Sequence, residues 1–267
     1  MDERELIEAE AFAVVTVSTA ATLVHARAGG RAAVAKESNH SLVTETDLAS
    51  EKLIVSVIEA RYPEHMILSE EAGALAAAKS RYRWIIDPVD GTTNFASGYP
   101  AYAVSLSLID GEEPVAAAIA LPASGEVFSA RRGGGTRCNG EPVIVTRTRT
   151  LSDSLLVASF PGIGPGNVDA EMERFGWLYR LSRGVRHDCS AQYDLCQLAA
   201  GRIDGFWESV LPLWDMAAGV LLVREAGGAV SDVDGSPWHP GATGLVASNG
   251  LIQAELVSAL DFDPVRR

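Results

Sequence analysis

Cysteine is scarce in this 267-residue sequence, which has Cys138, Cys189 and Cys196 alone. The count is odd and no pair has Cys-x-x-Cys spacing, so reduced thiols are expected and not a disulfide framework. The five histidines do not pair with the cysteines at ligand spacing, so no zinc site is expected. No uninterrupted apolar run approaches the roughly 18 residues of a membrane helix, and no membrane partner is expected. Residues 9–24 are fairly apolar, but Glu8, Glu10 and scattered Thr and Ser fit a packed helix. Basic runs are missing too. The formal net charge is −13, whereas a nucleic-acid surface would want clustered Lys and Arg. The opening Met1-Asp2-Glu3-Arg4-Glu5 lacks the basic-then-apolar order of a secretory signal, and a cytoplasmic location is expected.

What is present suffices for a sizeable core: 47 % of residues are apolar. Residues 2–28 have long apolar periodicity ending at Gly29-Gly30, which predicts one helix with a glycine stop. Residues 29–41 read as a mobile loop. Asp47 is expected to cap a helix over 48–61, ended by Tyr62-Pro63. Residues 65–69 and 83–87 read as strands. Three more strands, 102–110, 113–121 and 126–131, are joined by the hairpin signals Asp110-Gly111 and Ser124-Gly125. Gly133-Gly134-Gly135 lacks the strand-then-helix setting of a dinucleotide loop and reads as a structural turn.

The second half alternates. Strands are expected at 154–159, 184–187, 203–207, 229–231 and 244–248, with helices at 168–182, 190–200, 214–226 and 250–260. The connection Gly162-Ile163-Gly164-Pro165-Gly166 is the expected boundary between an N-terminal α+β half, about 1–150, and a C-terminal α/β half, about 151–267.

The chemistry gathers in four places. In Trp84-Ile85-Ile86-Asp87-Pro88-Val89-Asp90-Gly91-Thr92-Thr93-Asn94 a hydrophobic run ends in two aspartates three residues apart. Asp-x-x-Asp alone is a weak signal, since either residue could merely shape a turn. The Gly91-Thr92-Thr93 that follows adds N–H groups and hydroxyls where a phosphate could sit. Two such carboxylates can hold or bridge divalent ions together with phosphate oxygens. Glu70-Glu71 follows one strand as Asp87 follows another, so neighbouring strand ends would bring them together. Trp214-Asp215 opens an expected helix, where Asp is either an N-cap or a site residue. Thr44-Glu45-Thr46-Asp47 by itself is only a helix start.

These four segments, in this order and spacing, resemble the inositol monophosphatase family of Mg²⁺-dependent, lithium-sensitive phosphomonoesterases. The likeness extends over nearly the whole chain, through Leu42-Val43-Thr44-Glu45-Thr46-Asp47, Ser69-Glu70-Glu71, and Trp214-Asp215-Met216-Ala217-Ala218-Gly219 with Glu225-Ala226-Gly227-Gly228. The resemblance implies a layered α/β/α/β/α sandwich of the inositol monophosphatase/fructose-1,6-bisphosphatase type, usually a homodimer, with two or three Mg²⁺ per subunit. It implies that Glu70, Asp87 and the Val89 carbonyl hold one ion, and that Asp87, Asp90 and Asp215 hold a second. Glu70 and Thr92 would position the attacking water, with Asp47 orienting the Thr92 hydroxyl. Gly91 and Thr92 would offer N–H groups to the phosphate of the substrate ester. Lys36 occupies a position near the site in relatives.

Substrate choice rests on residues 186–208. The family's Gly-Thr/Ser-Ala-Ala segment corresponds to Cys189-Ser190-Ala191-Gln192. Ser190 and Ala191 match as substrate-binding residues, while Cys189 and Gln192 depart. Gln192, larger and polar, is expected to alter the pocket. Glu208, seven residues before Asp215, stands where the family accepts from inositol hydroxyls. His187 and Asp188 could touch the leaving group, although a structural histidine is the plainer reading. Arg186 leaves a bisphosphate substrate open, and Ser41 replaces an acidic residue common in relatives. The leading expectation is hydrolysis of inositol 1-phosphate or a related polyol phosphate. Fructose-1,6-bisphosphatase, histidinol phosphatase and nucleotide 3′-phosphatase activities, and a regulatory binding role, are the alternatives.

Overall fold

Period-two burial divides the strands between separate cores. In β7 (Glu113–Leu121), Ala116, Ala118 and Ala120 face one core, and Ala117, Ile119 and Leu121 face another. A strand with both faces apolar must be covered on both sides. The computed structural model describes residues 1–29, 33–35, 42–75, 80–160 and 168–261. Lys36, Ser41, the connection 162–166 and most of the expected loop 29–41 lie outside the described residues.

Five layers result. The outermost holds α1 (Glu3–His25) and α2 (Glu45–Arg61), packed on an eight-stranded sheet. That sheet contains β3 (Met66–Ser69), β4 (Gly73–Leu75), β5 (Tyr82–Asp90), β6 (Ala103–Asp110), β7, β8 (Glu126–Arg131), β9 (Gly135–Cys138) and β10 (Glu141–Val143). α5 (Ala191–Ala199) and α6 (Ala217–Glu225) fill the middle layer. A five-stranded sheet follows, in the order β12-β11-β13-β15-β14. Its strands are β11 (Leu155–Ala158), β12 (Gly184–Arg186), β13 (Gly205–Glu208), β14 (Ala229–Ser231) and β15 (Leu245–Ser248). α4 (Val168–Leu181) and α7 (Gln253–Leu260) close the far face. Outside these layers, β1 (Ala33–Ala35) pairs with β2 (Leu42–Thr44) just before α2. The expected layered sandwich is thus the observed architecture.

α1 is long and apolar enough to cross a membrane by length and composition. Its Leu6, Ala9, Ala13, Val17, Ala20 and Val24 recur at helical spacing and pack into the core over β6–β8.

Several boundaries differ from expectation, each for a local reason. The N-cap of α2 is Thr44, and Asp47 is the third helical residue of a capping box. β5 does not stop at Asp87. It pairs Asp87 with Ser105 and Asp90 with Ala103, so a bulge carries the strand through Pro88 and Val89. Trp214 and Asp215 lie in a 3₁₀ turn, Leu213–Asp215, and α6 begins only at Ala217. α7 begins at Gln253, because the Asn249 side chain accepts from the N–H groups of Leu251 and Ile252 and holds a turn there. β4, β9 and β10 are too short for periodicity to reveal. The Gly133–Gly135 turn is clasped by Glu225, which accepts from Gly133 N at 2.8 Å and Gly135 N at 3.0 Å.

Candidate active site

Register explains why the acidic residues meet. β3 and β5 run parallel with Ser69 opposite Ile86, so Glu70 and Asp87 leave neighbouring strands at the same level. The Glu70 N–H donates to the Ile86 carbonyl at 3.3 Å. Glu51 on α2 fixes the Glu70 turn. One of its oxygens accepts from the Ser69 hydroxyl, from Glu71 N at 3.2 Å and from Ala72 N at 3.0 Å. Ser50, beside it, donates to the Pro88 carbonyl at 2.9 Å. Asp47 and Glu51 lie four residues apart and therefore share a helix face. That spacing was the available signal for Glu51, which the motif pattern did not single out.

The β5 bulge turns both aspartates inward. Asp87 Oδ1 accepts from Val89 N at 3.0 Å, and Oδ2 is buried with no hydrogen-bond partner among the described residues. Ligand atoms of Asp87, Asp90 and Asp215 all lie within 4.8 Å of one another. Burial pushes Asp87 well above the usual carboxylate range, reinforced by the charges of Glu70, Asp215 and Asp90.

Asp90 is tied to the far half of the chain. Its Oδ2 accepts from Ser190 Oγ at 2.6 Å, Gln192 N at 2.7 Å and Tyr193 N at 3.4 Å, and so caps the start of α5. Burial raises its pKa to about 6, against the lowering effect of those donors. Ser190 thus spends its hydroxyl on Asp90, and Ala191 adds a backbone N–H to the same carboxylate.

Thr92 opens α3 (Thr92–Ser97). Its hydroxyl lies 3.1 Å from Asp47 Oδ1 and 3.0 Å from the Val89 carbonyl. The other Asp47 oxygen closes the capping box on Thr44, so one carboxylate serves both helix and site. Burial raises the Asp47 pKa. Gly91 has φ +80°, and an added Cβ would lie 2.9 Å from the Ala101 carbonyl and 3.0 Å from Ser190 Cβ. Only glycine meets both demands.

Glu208, at the end of β13, is buried and not a surface charge. Burial pushes it well above the usual range, followed by the charges of Asp215, Asp90 and Glu171. Gln192 corrects an expectation. It is fully buried and does not line the substrate space. Its Nε2 donates to the Trp214 carbonyl at 2.7 Å and its Oε1 accepts from Gly219 N at 3.0 Å. His187 is anchored by Nδ1 at 2.9 Å from the Ala158 carbonyl and stacks on Phe160. Arg186 is exposed at the end of β12. Besides Glu51, two residues went unnoticed in the sequence. Asn94 Nδ2 bridges the Ala101 and Asp188 carbonyls at 2.7 and 2.6 Å. Asp194 is fully buried with neither carboxylate oxygen partnered among the described residues.

A sequence profile of the inositol monophosphatase family matches residues 5–263. The chain belongs to the inositol monophosphatase family. It is a phosphatase, a phosphoric monoester hydrolase. An inositol-1-monophosphatase from Synechocystis is 42 % identical over 223 residues, covering 84 % of this chain and 78 % of that protein. A Vibrio cholerae protein named Nus factor SuhB is 36 % identical over 214 residues, 80 % of each chain. The solved inositol monophosphatase from Anabaena superposes with a TM-score of 0.87 at 36 % identity, covering 98 % of this chain and 99 % of that one.

A family phosphatase of this kind needs positive charge beside its phosphate, and the acidic cluster is suited to cations. Three carboxylates this close, one with an orphaned buried oxygen, repel one another unless protons or cations intervene. An all-oxygen donor set fits a hard divalent ion.

Proposed function

We propose that the chain hydrolyses inositol 1-phosphate, or a closely related polyol monophosphate, with two or three Mg²⁺ per subunit. The observation that carries this reading is the Asp87–Asp90–Asp215 triangle, with its orphaned Asp87 oxygen. Glu70, Asp87 and the Val89 carbonyl hold one ion, and Asp87, Asp90 and Asp215 hold another. Bound there, Mg²⁺ supplies Lewis acidity to the phosphoryl oxygens, the attacking water and the leaving alkoxide. The remaining work falls to the chain. Glu70 and the Thr92 hydroxyl position the water, and Asp47 fixes the direction of that hydroxyl. The Gly91 and Thr92 N–H groups hold the phosphate. Glu208 and the Ser190–Ala191 segment face the polyol. A buried carboxyl suits this task, since a site built to pair hydroxyls rejects esters lacking them.

The test is turnover of inositol 1-phosphate, fructose 1,6-bisphosphate, histidinol phosphate and a 3′-phosphorylated nucleotide, each with Mg²⁺ and with chelator. The expected result is preference for the inositol ester and no turnover in chelator. Turnover that persists in chelator overturns the metal assignment. Preference for another ester overturns the substrate assignment. The relative named as a Nus factor supports a second reading, a regulatory role carried by the folded protein and not by turnover. Asp90→Asn separates the two: a cellular phenotype rescued by that variant favours the regulatory reading.

A further inference from the structure

We propose that Cys189 and His187 form a binding site for a soft divalent cation of the Zn²⁺ class at the rim of the active site. This site is separate from the aspartate triangle and does not rest on the identity of the ester. Sequence spacing argued against zinc, because His187-x-Cys189 matches no usual ligand pattern. The backbone brings the two together. Cys189 has φ +57°, a left-handed conformation that L side chains adopt only under constraint. With that turn its Sγ lies 3.1 Å from His187 Nε2.

The donor atoms are prepared. His187 Nδ1 sits 2.9 Å from the Ala158 carbonyl, which can only accept, so Nδ1 carries the proton. Nε2 then presents a lone pair toward the thiol. The ring stacks on Phe160 at 4.3 Å between centroids, which fixes its plane. A metal-binding imidazole whose other ring nitrogen donates to a backbone carbonyl has this arrangement. Both side chains are exposed, so an ion can reach them. A tetrahedral Zn²⁺ with Zn–S about 2.3 Å and Zn–N about 2.0 Å separates its donors by roughly 3.5 Å, so a small rotation of the thiol suffices.

The loop cannot relax away from this geometry. Asn94 holds the Asp188 carbonyl at 2.6 Å on one side of Cys189. Asp90 holds the Ser190 hydroxyl at 2.6 Å on the other. Both anchors belong to the Asp90–Asn94 turn, so the thiol stands beside the phosphate-binding segment.

The surrounding charge favours a cation over other uses of the thiol. Burial, then the charges of Glu208, Asp194, Asp188 and Asp90, push the Cys189 thiol above its ordinary value. A bare thiolate nucleophile is disfavoured in that field, whereas a divalent ion is attracted by it. Binding replaces the thiol proton, which leaves to solvent, with the metal. Water fills the remaining positions. Mg²⁺ prefers oxygen donors and does not compete for this pair. An ion seated here obstructs entry to the Gly91–Thr92 turn, so the consequence is inhibition.

The test is Co²⁺ absorption with the full chain in Mg²⁺ buffer. A thiolate-to-cobalt charge-transfer band is expected, retained in Cys138→Ser and lost in Cys189→Gly. Cys189→Gly also removes the backbone strain, so it folds at least as well. A band that is absent in the natural chain, or that survives in Cys189→Gly, overturns the site. In parallel, Zn²⁺ is titrated against phosphatase activity at fixed Mg²⁺. Half-inhibition in Cys189→Gly is expected at a concentration at least about tenfold higher. Equal sensitivity of the two proteins would assign inhibition to the aspartate triangle and overturn the proposal.

Discussion

Gln192 donates through Nε2 to the Trp214 carbonyl at 2.7 Å, one residue before Asp215, while its own N–H donates to Asp90 Oδ2 at 2.7 Å. One buried residue therefore links two carboxylates that reach the site from different elements, Asp90 from the end of β5 and Asp215 from the 3₁₀ turn before α6. Gln192→Ala removes both side-chain bonds and leaves Gly219 N without its acceptor. The expected cost is about 1–3 kcal/mol in stability. The half-activating Mg²⁺ concentration should rise by about tenfold or more, as when a group that orients a metal ligand is lost. Titrating Mg²⁺ against activity checks this. An unchanged Mg²⁺ curve alongside a lowered melting temperature would reduce Gln192 to a packing residue.

The Thr92 hydroxyl lies within hydrogen-bond distance of both Asp47 and the Val89 carbonyl, but it has one proton to give. If Asp47 takes that proton, an oxygen lone pair is left facing the site. Thr92→Ser should then retain most activity, and Thr92→Val should lose about 100-fold in kcat with little change in KM. Asp47→Asn changes the partner and the capping box together, so it should lower kcat and also melt the start of α2 by about 1 kcal/mol. Full activity in Thr92→Val would remove the hydroxyl from the mechanism.

Proton linkage gives a signed prediction for the metal-free protein. Asp90 is raised from 3.8 to about 6, and Asp87 and Glu208 are raised well above their ordinary values. A carboxyl raised in the folded state stabilises below its unfolded pKa. That stability is lost as pH climbs through the folded value. The chelated protein should therefore lose stability from these groups between about pH 4 and pH 6, and further above that as Asp87 and Glu208 ionise. Mg²⁺ should stabilise strongly near pH 8 and weakly near pH 5, releasing protons at the lower pH. Calorimetric melting with and without Mg²⁺ at both pH values tests this. The oppositely shifted Asp110 and Glu126, held down by Arg81 and Arg202, cancel in that comparison. Equal stabilisation by Mg²⁺ at both pH values would contradict it.

What could be read from the chain follows the range of the interactions. Parallel neighbours β3 and β5 were legible because hydrophobic runs ended in acids at matching places, and the Glu70–Asp87 meeting followed. Asp47 was recognised, but its position was misjudged by three residues, because Thr44 competes for the cap with the same chemistry. Gln192 was misread because its partners, Trp214 and Gly219, lie more than twenty residues away. No local pattern tells whether a polar side chain faces a pocket or a buried carbonyl. Glu51 and Asn94 were missed for the same reason: each acts on backbone groups of another element. The short strands β4, β9 and β10 exist only as partners to longer ones.

Gly91 offers the sharpest separation of fold from site. Its φ of +80° disfavours any side chain, and an added methyl would press on the Ala101 carbonyl at 2.9 Å and Ser190 Cβ at 3.0 Å. Backbone strain of this kind costs about 1–2 kcal/mol, small enough for the domain to remain folded. Both neighbours must give: the Ala101 carbonyl is backbone, and Ser190 has its hydroxyl fixed to Asp90 at 2.6 Å. Gly91→Ala should therefore fold with a modestly lower melting temperature yet lose most phosphatase activity, because the Asp90 carboxylate is displaced with Ser190. A second change, Ser190→Gly, removes the clashing Cβ while leaving the backbone donors of Gln192 and Tyr193 on Asp90. The double variant should recover part of the activity lost in Gly91→Ala. If it recovers none, strain in the Gly91 turn and its contact with the Ala101 carbonyl, and not the push on Ser190 and Asp90, disable the site.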